Sequence, residues 1–191
     1  MKPTELCADI KIYDYKKKQI YHEKSLIILE PTGKVLQAGK ACEDMAGTLP
    51  EGSVYYSPLL LGKVEDYLLA EKMLKELLHQ YLGKPSALNG YGEGLLFVHE
   101  DLNCVELKAY EDMMYQAGNL KSLLYMDENV QGKPDGFPWE DVIWGMINSN
   151  KKLRFAVEIT KDNPEDYLRY AVEELSRKCK KWGIDRSISI N

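Results

Sequence analysis

The chain has 191 residues, enough for one ordinary domain or two very small ones. Hydrophobic residues make up 45% of it and charged residues 29%, which excludes the disordered, collagen-like and small disulfide-scaffold classes. Lys and Arg number 25 and Asp and Glu number 30, so the formal net charge is −5. This acidic balance argues against nucleic-acid binding, which needs a net or clustered positive field.

The lack of a membrane-spanning or secretory segment and the scattered cysteines indicate a reducing compartment. No stretch approaches the roughly 18 consecutive apolar residues of a membrane helix, and the N-terminus lacks the basic start and apolar core of a secretory signal. The four cysteines, Cys7, Cys42, Cys104 and Cys179, are scattered without a Cys-x-x-Cys pair. We therefore predict reduced and mostly buried thiols, no metal site and a cytoplasmic location.

The first 40 residues alternate short strand-type segments with turns. A Lys16–Lys18 turn separates the first two segments, and a turn at Pro31–Lys34 precedes a short strand at Val35–Ala38. The pattern predicts an antiparallel meander. One or two helical turns at Lys40–Met45 and an extended piece at Val54–Tyr56 follow.

The middle of the chain predicts a strand–helix–strand unit. A helix over Val64–Leu82 has apolar residues at three- and four-residue intervals and ends at Gly83. The apolar run Gly94–Val98 is typical of a strand covered on both faces. A helix from Asn103 or Asp101 to Ala117 and a strand at Leu120–Met126 complete a parallel βαβ unit.

The last 60 residues contain a break and then further elements. Gln131–Pro138 holds two glycines and two prolines and is predicted to be a linker or boundary. A helix at Trp139–Ile147 and a strand at Leu153–Ile159 follow it. A well-marked helix then runs from a cap at Asn163 to Gly183, and a final strand is predicted at Ser187–Ile190.

Few residues suggest chemistry. His99-Glu100-Asp101 follows a buried strand, at the strand end where open α/β sheets bind ligands, but a loop with a helix cap explains it as well. With Asn103 these residues form a candidate ligand site. The glycine-rich run Gly90–Gly94 precedes a strand instead of opening a helix, so we interpret it as a hairpin or linker and not as a phosphate loop.

Consecutive blocks of the sequence resemble the bacterial actins, the MreB-like rod-shape proteins. His22–Leu29 is similar to that family's Asn-Glu-Pro-Ser-Val-Val-Ala-Ile strand, and Thr32–Gly39 is similar to its Thr-Gly-Lys-Val-Leu-Ala-Val-Gly. Ser57–Tyr67 resembles its Arg-Pro-Leu-x-x-Gly-Val-Ile-Ala-Asp-Phe. The resemblance covers about residues 5–130. It implies an α/β, actin-like (ribonuclease H-like) fold of the ATPase type, a mixed sheet with flanking helices, of which the chain has one half.

The resemblance also implies that the family's nucleotide chemistry is degenerate here. The family's first phosphate loop, Asp-x-Gly-Thr, falls on Glu5-Leu6-Cys7-Ala8, which lacks the glycine and the hydroxyl. Its Thr-Glu pair, whose acid orients the attacking water, falls on Asn103-Cys104, and its Asp-x-Gly-Gly-Gly-Thr loop is absent. Glu5, Cys7, Ala8, Asn103 and Cys104 are thus vestigial cleft positions.

The resulting hypothesis is a non-catalytic actin-like domain that needs no cofactor. It binds a protein partner or a second copy of itself, with no nucleic acid, no membrane span and no ATP binding expected. Residues 1–130 form the actin-like region, 131–138 a linker or boundary, and 139–191 complete the domain or form a small addition. The alternative is a small-ligand protein or enzyme with its site near His99–Cys104, where Cys104 is either a nucleophile or a buried structural thiol.

Overall fold

The computed structural model describes residues 7–60, 63–88, 90–99, 102–118, 121–125 and 137–160. Within them the chain forms ten strands and four helices. The strands are β1 Asp9–Asp14, β2 Gln19–Lys24, β3 Ile27–Leu29, β4 Val35–Ala38, β5 Val54–Tyr56, β6 Leu59–Leu60, β7 Lys63–Val64, β8 Glu93–Val98, β9 Lys121–Tyr125 and β10 Leu153–Thr160. The helices are α1 Cys42–Met45, α2 Tyr67–Leu82, α3 Cys104–Gly118 and α4 Trp139–Ser149.

The main sheet has five strands in the order β2-β1-β10-β8-β9. The β1 strand is antiparallel to both β2 and β10, whereas β10, β8 and β9 run parallel. The pairing of β8 with β9 around α3 confirms the predicted βαβ unit. The last described strand of the chain, β10, therefore lies in the centre of the sheet.

Helices cover both faces of this sheet. On one face, Ile12, Leu96 and Val157 pack against α2 and α3 in the largest core cluster. On the other face, α4 packs through Ile143 and Ile147 against side chains that include Tyr13 and Phe97. Strand β10 contributes to both, because successive side chains along a strand point to opposite faces. Such two-sided burial explains why its sequence reads as a nearly continuous apolar run.

Local sequence signals fix the ends of α2. The side chain of Asp66 accepts a hydrogen bond from the Leu69 amide at 3.0 Å and so caps the first turn. At the other end, Gly83 adopts a φ of 83°, which side-chain-bearing residues rarely adopt. The helix begins three residues later than predicted, because Val64 belongs to β7 instead.

The predicted N-terminal meander is wrong in one respect. The β1–β2 and β3–β4 pairs are both antiparallel as expected. However, they belong to different sheets, because β3 and β4 join β5 in a separate three-stranded sheet. The chain makes the change at Ser25, whose amide bonds the Ala8 carbonyl at 2.8 Å and whose hydroxyl accepts from the Leu59 amide at 2.8 Å.

Most other predicted elements are confirmed within a few residues, including α3, α4 and β10. The helix predicted from Asn163 to Gly183, the strand at Ser187–Ile190 and most of the Gln131–Pro138 segment lie outside the described residues. Among the helices that the structure describes, none combines the length and the apolar character needed to cross a bilayer.

The contact between Gly94 in β8 and the ring of Phe155 in β10 yields a test of the sheet. A Cβ atom at Gly94 would lie 2.3 Å from Cζ of Phe155 in a buried, close-packed region. We expect Gly94→Ala to lower the free energy of unfolding by about 1–3 kcal/mol. The measurement is urea unfolding followed by circular dichroism.

The matched control is Gly145→Ala in α4, where a Cβ atom would have nothing within 4 Å. Alanine has the better helix propensity, so this variant should be unchanged or more stable by up to about 1 kcal/mol. Equal stability of the two variants would contradict the packing described for β8 and β10.

Candidate functional site

A group of polar side chains lies near the carboxyl ends of β8 and β10, on the α4 face of the sheet. We call it the Glu158 cluster, and it consists of Lys11, Tyr13, His99, Glu140 and Glu158. Along β1 and β10, the side chains of Lys11, Tyr13 and Glu158 alternate with side chains that point to the other face of the sheet. Parallel strands end at the same edge of a sheet, so the fold itself brings His99 and Glu158 together.

Glu158 is the centre of this cluster and is only 1% exposed. The hydroxyl of Tyr13 donates a hydrogen bond to its Oε2. Its Oε1 lies 2.8 Å from Nε2 of His99, and Nζ of Lys11 lies 3.6 Å from Oε2. A buried carboxylate is tolerated only when such partners replace water.

These contacts decide the charge states. Burial alone would raise the pKa of Glu158, but the hydrogen bonds from His99 and Tyr13 and the positive charge of Lys11 outweigh it, so the pKa falls below its ordinary value. Burial, together with the bond to Glu158, raises the pKa of Tyr13 far above its ordinary value. Glu158 is therefore ionised at neutral pH, and Tyr13 stays protonated as its donor.

Helix α4 closes the cluster from the outside. Glu140 accepts a hydrogen bond from Nζ of Lys11 at 2.9 Å. Burial lowers the pKa of Lys11, but Glu140 and Glu158 outweigh it and raise the pKa above its ordinary value. The ring of Trp139 lies 5.1 Å from those of His99 and Phe97, at 88° to the imidazole. Trp139 thus packs against the imidazole that bonds Glu158.

The predicted site residue Asn103 has a structural role. Its side-chain Oδ1 accepts hydrogen bonds from the backbone amides of Val105 and Glu106 at 2.9 and 3.0 Å. The Glu106 carboxylate in turn accepts one from the backbone amide of Asn103 at 2.9 Å. This reciprocal pattern is a capping box at the start of α3. The pKa of Glu106 is lowered, mainly by the bond from the Asn103 backbone and further by Lys63, whose Nζ is 3.4 Å away.

The other predicted positions are dispersed. Cys7 and Ala8 are buried, and Cys7 forms a β-bridge with Leu60. Glu5, Glu100 and Asp101 lie outside the described residues. The interpretation of Cys104 as a buried structural thiol is wrong, because it is exposed at the first position of α3. The vestigial-cleft role of these positions stays a prediction.

Sequence reasoning found His99 but missed its partners. Tyr13 and Lys11 are single residues in a short strand and carry no motif. The signal for Glu158 was available, since one carboxylate stands inside the apolar run of β10 where both faces are buried. An acid in such a position needs partners, and this requirement could have marked it.

The described residues limit the chemistry of the cluster. Tyr13, His99 and Lys11 hold one carboxylate, and a second carboxylate binds the same lysine. Over the described ranges, no group of three or more His, Cys, Asp or Glu side chains is arranged to hold a metal ion. The cluster is thus a self-compensated network that links β1, β8, β10 and α4.

Comparison with known proteins assigns the chain to a family. A family model described as MreB/Mbl protein matches residues 6–131. No curated protein matches the chain. The solved structures that match the chain include two of MreB5 from Spiroplasma citri, one bound to AMPPNP (23% identity, TM-score 0.51) and one bound to ADP (22% identity, TM-score 0.49).

The match to the AMPPNP-bound protein covers 64% of this chain and 36% of the relative, and the match to the ADP-bound protein covers 64% and 35%. This chain therefore spans about a third of the length of the relatives it matches. The likeness shows the fold, which is actin-like with a mixed sheet and flanking helices, as the sequence resemblance predicted.

The depressed pKa of Glu158 predicts how stability depends on pH. Because its folded pKa lies below the unfolded value of about 4.3, its contribution is present above that pH and is lost as pH falls through the folded pKa. We expect Glu158→Gln to be less stable than wild type by about 1–3 kcal/mol at neutral pH, and this difference to shrink in acid. Urea unfolding between neutral and acidic pH measures both quantities.

Glu51→Gln, in an exposed turn, is the matched control and should follow the wild type at each pH. A Glu158→Gln deficit that is absent at neutral pH, or that stays constant into acid, would contradict the ionised and compensated state of Glu158.

Proposed function

Since this chain belongs to the MreB/Mbl family, we propose that it is a non-catalytic actin-like module of the cytoplasm that acts by binding proteins. Its partner is a component of the cytoskeletal or cell-shape machinery or a second copy of the chain. It neither binds nor hydrolyses ATP, and it uses no cofactor.

The observation that carries this proposal is that the polar groups of the Glu158 cluster bind one another. A phosphate-transferring site needs charged groups that remain available for the nucleotide and its metal ion. Here the carboxylate of Glu158 bonds Tyr13 and His99, and Lys11 already binds Glu140. The groups at these strand ends serve the protein's own packing.

The start of α3 supports the same conclusion. Free amide groups at a helix N-terminus are a common binding site for phosphate. The Asn103 side chain occupies the amides of Val105 and Glu106, and the carboxylate of Glu106 lies in the same turn. An incoming phosphate would have to displace the cap and would meet a negative charge.

The sequence adds a third argument. Cys7 and Ala8 stand where the family's first phosphate loop has glycine and threonine. Neither side chain carries a hydroxyl, and both residues are buried, so they offer no open backbone to a nucleotide. By contrast, the two MreB5 relatives were solved with ADP and AMPPNP bound.

Thermal unfolding with and without ATP and Mg²⁺ tests the proposal. A ligand present at about 100 times its dissociation constant would stabilise the folded state by about 2.7 kcal/mol and raise the melting temperature by several degrees. We expect no shift with millimolar ATP and Mg²⁺, and no phosphate release. A shift of several degrees would contradict the proposed absence of ATP binding, and phosphate release would contradict the non-catalytic assignment.

The protein-binding half of the proposal has its own readout. Light scattering on a sizing column detects self-association, and capture from a cell lysate with the immobilised chain detects partners. We expect at least one of the two, unchanged by ATP and Mg²⁺. A chain that stays monomeric and captures nothing specific, or that associates only when ATP is present, would contradict it.

A further inference from the structure

An open cavity of about 860 Å³ lies at the end of the main sheet opposite to the Glu158 cluster. Four parts of the chain form its walls, namely the β1–β2 turn, the end of α2 with the loop before β8, the last turns of α3, and the start of β10. Its volume is within the range of about 300–1,000 Å³ that is typical of ligand pockets. None of its lining residues belongs to the site described above.

The cavity is positively charged in a chain whose formal net charge is −5. Lys16, Lys17, Lys152 and Arg154 line it against two acids, Asp14 and Glu93. The carboxylate of Asp14 already has partners within the protein. It accepts hydrogen bonds from the backbone amides of Lys16 and Lys17, and its Oδ2 lies 3.4 Å from Nζ of Lys17.

The remaining cations are available to a ligand. Among the residues that the structure describes, Lys16, Lys152 and Arg154 form no ion pair. The Arg154 guanidinium donates a hydrogen bond from Nη1 to the Lys151 carbonyl at 3.3 Å. Lys16 and Lys152 are exposed, so their ammonium groups can reach a bound anion.

Two of the apolar residues that line the cavity are largely exposed. Leu88 is 89% exposed and Tyr115 is 54% exposed, and both line this one cavity. Large hydrophobic side chains that cluster around a concave surface with a polar rim mark interaction sites. The cavity thus offers an apolar anchor point within a basic rim.

The wall that carries Leu88 is held in shape before any ligand binds. Ser86 and Gly90 exchange two backbone hydrogen bonds of 2.9 Å, and the ring of Tyr91 packs edge-on to Phe155 at 6.3 Å. Gly92 has a φ of 87°, and a Cβ atom there would lie 3.3 Å from Cγ of Arg154. Only glycine combines this backbone conformation with so close an approach. A preformed wall lowers the ordering cost of binding.

We propose that this cavity is the docking site for an acidic peptide segment of a partner protein, anchored by an aliphatic or aromatic side chain between Leu88 and Tyr115. The inference rests on the proposed function, since a module that acts by binding proteins needs such a surface. Net positive charge selects an acidic ligand, and the exposed leucine and tyrosine select one with an apolar anchor. A nucleic acid would need a longer basic stripe than these few cations provide.

Fluorescence anisotropy with labelled peptides of about ten residues tests this inference. The first peptide alternates acidic residues with Leu and Phe, the second replaces Leu and Phe by Ser, and the third replaces the acids by Lys. We expect only the first to bind the full chain well, and its affinity to fall as salt is raised. Lys16→Glu/Lys152→Glu should weaken it at least tenfold, and Leu88→Ser should weaken it several-fold.

Lys34→Glu/Lys75→Glu is the matched control, because it makes the same change in net charge at two exposed lysines that do not line the cavity. It should bind the first peptide as wild type does. Equal binding by the cavity variant, or equal binding of the second peptide, would overturn the inference. The inference would also be overturned if the wild type and the control variant self-associate and the cavity variant does not, since the occupant of the cavity would then be a second copy of this chain.

Failure of this inference and failure of the proposed function are distinguishable. If the cavity variant still captures the same lysate proteins and ATP and Mg²⁺ cause no thermal shift, the docking site is wrong and the proposed function stands. If ATP and Mg²⁺ stabilise the wild type, the proposed function fails whatever the peptides do.

Discussion

The fold depends on one pairing, the insertion of β10 between β1 and β8. Strand β10 is antiparallel to β1 and parallel to β8, and every residue from Phe155 to Ile159 is buried. Its side chains enter the core on both faces of the sheet. The family model ends at residue 131, more than 20 residues before β10 begins. A segment outside the matched region thus supplies the central strand of the actin-like sheet.

Placing β10 there buries Glu158, and the surroundings follow from that constraint. An ionised carboxylate away from water needs donors and a cation. Tyr13 and Lys11 provide them from β1, and His99 does so from the position directly after β8. Lys11 in turn binds Glu140, which ties α4 to the same network. The polar groups that could have served a ligand at the strand ends are therefore used to hold the sheet and helix together. The proposed docking cavity lies at the opposite end of the sheet, where cations and apolar side chains are exposed.

Much of the fold could be predicted because its signals are local. Turn residues at Lys16–Lys18, the periodicity of α2 and the glycine at its end, Gly83, mark elements within a few residues of their observed ends. The position of β10 could not be predicted, because strand order depends on pairing between segments more than 100 residues apart. For the same reason the β1–β4 meander divides between two sheets, and Glu158, Tyr13 and Lys11 were missed as a site. The capping role of Asn103, by contrast, follows from its spacing to Glu106.

Native-state hydrogen exchange, resolved by residue, tests the central claim most directly. Amides in the middle of a sheet exchange only through global unfolding, whereas edges and frayed ends exchange by local opening. We predict that the amides of β10 are as strongly protected as those of β8 and β1, and that all three strands exchange with the free energy of global unfolding. Exchange of β10 amides through local opening, while β1 and β8 stay protected, would contradict a sheet built around β10.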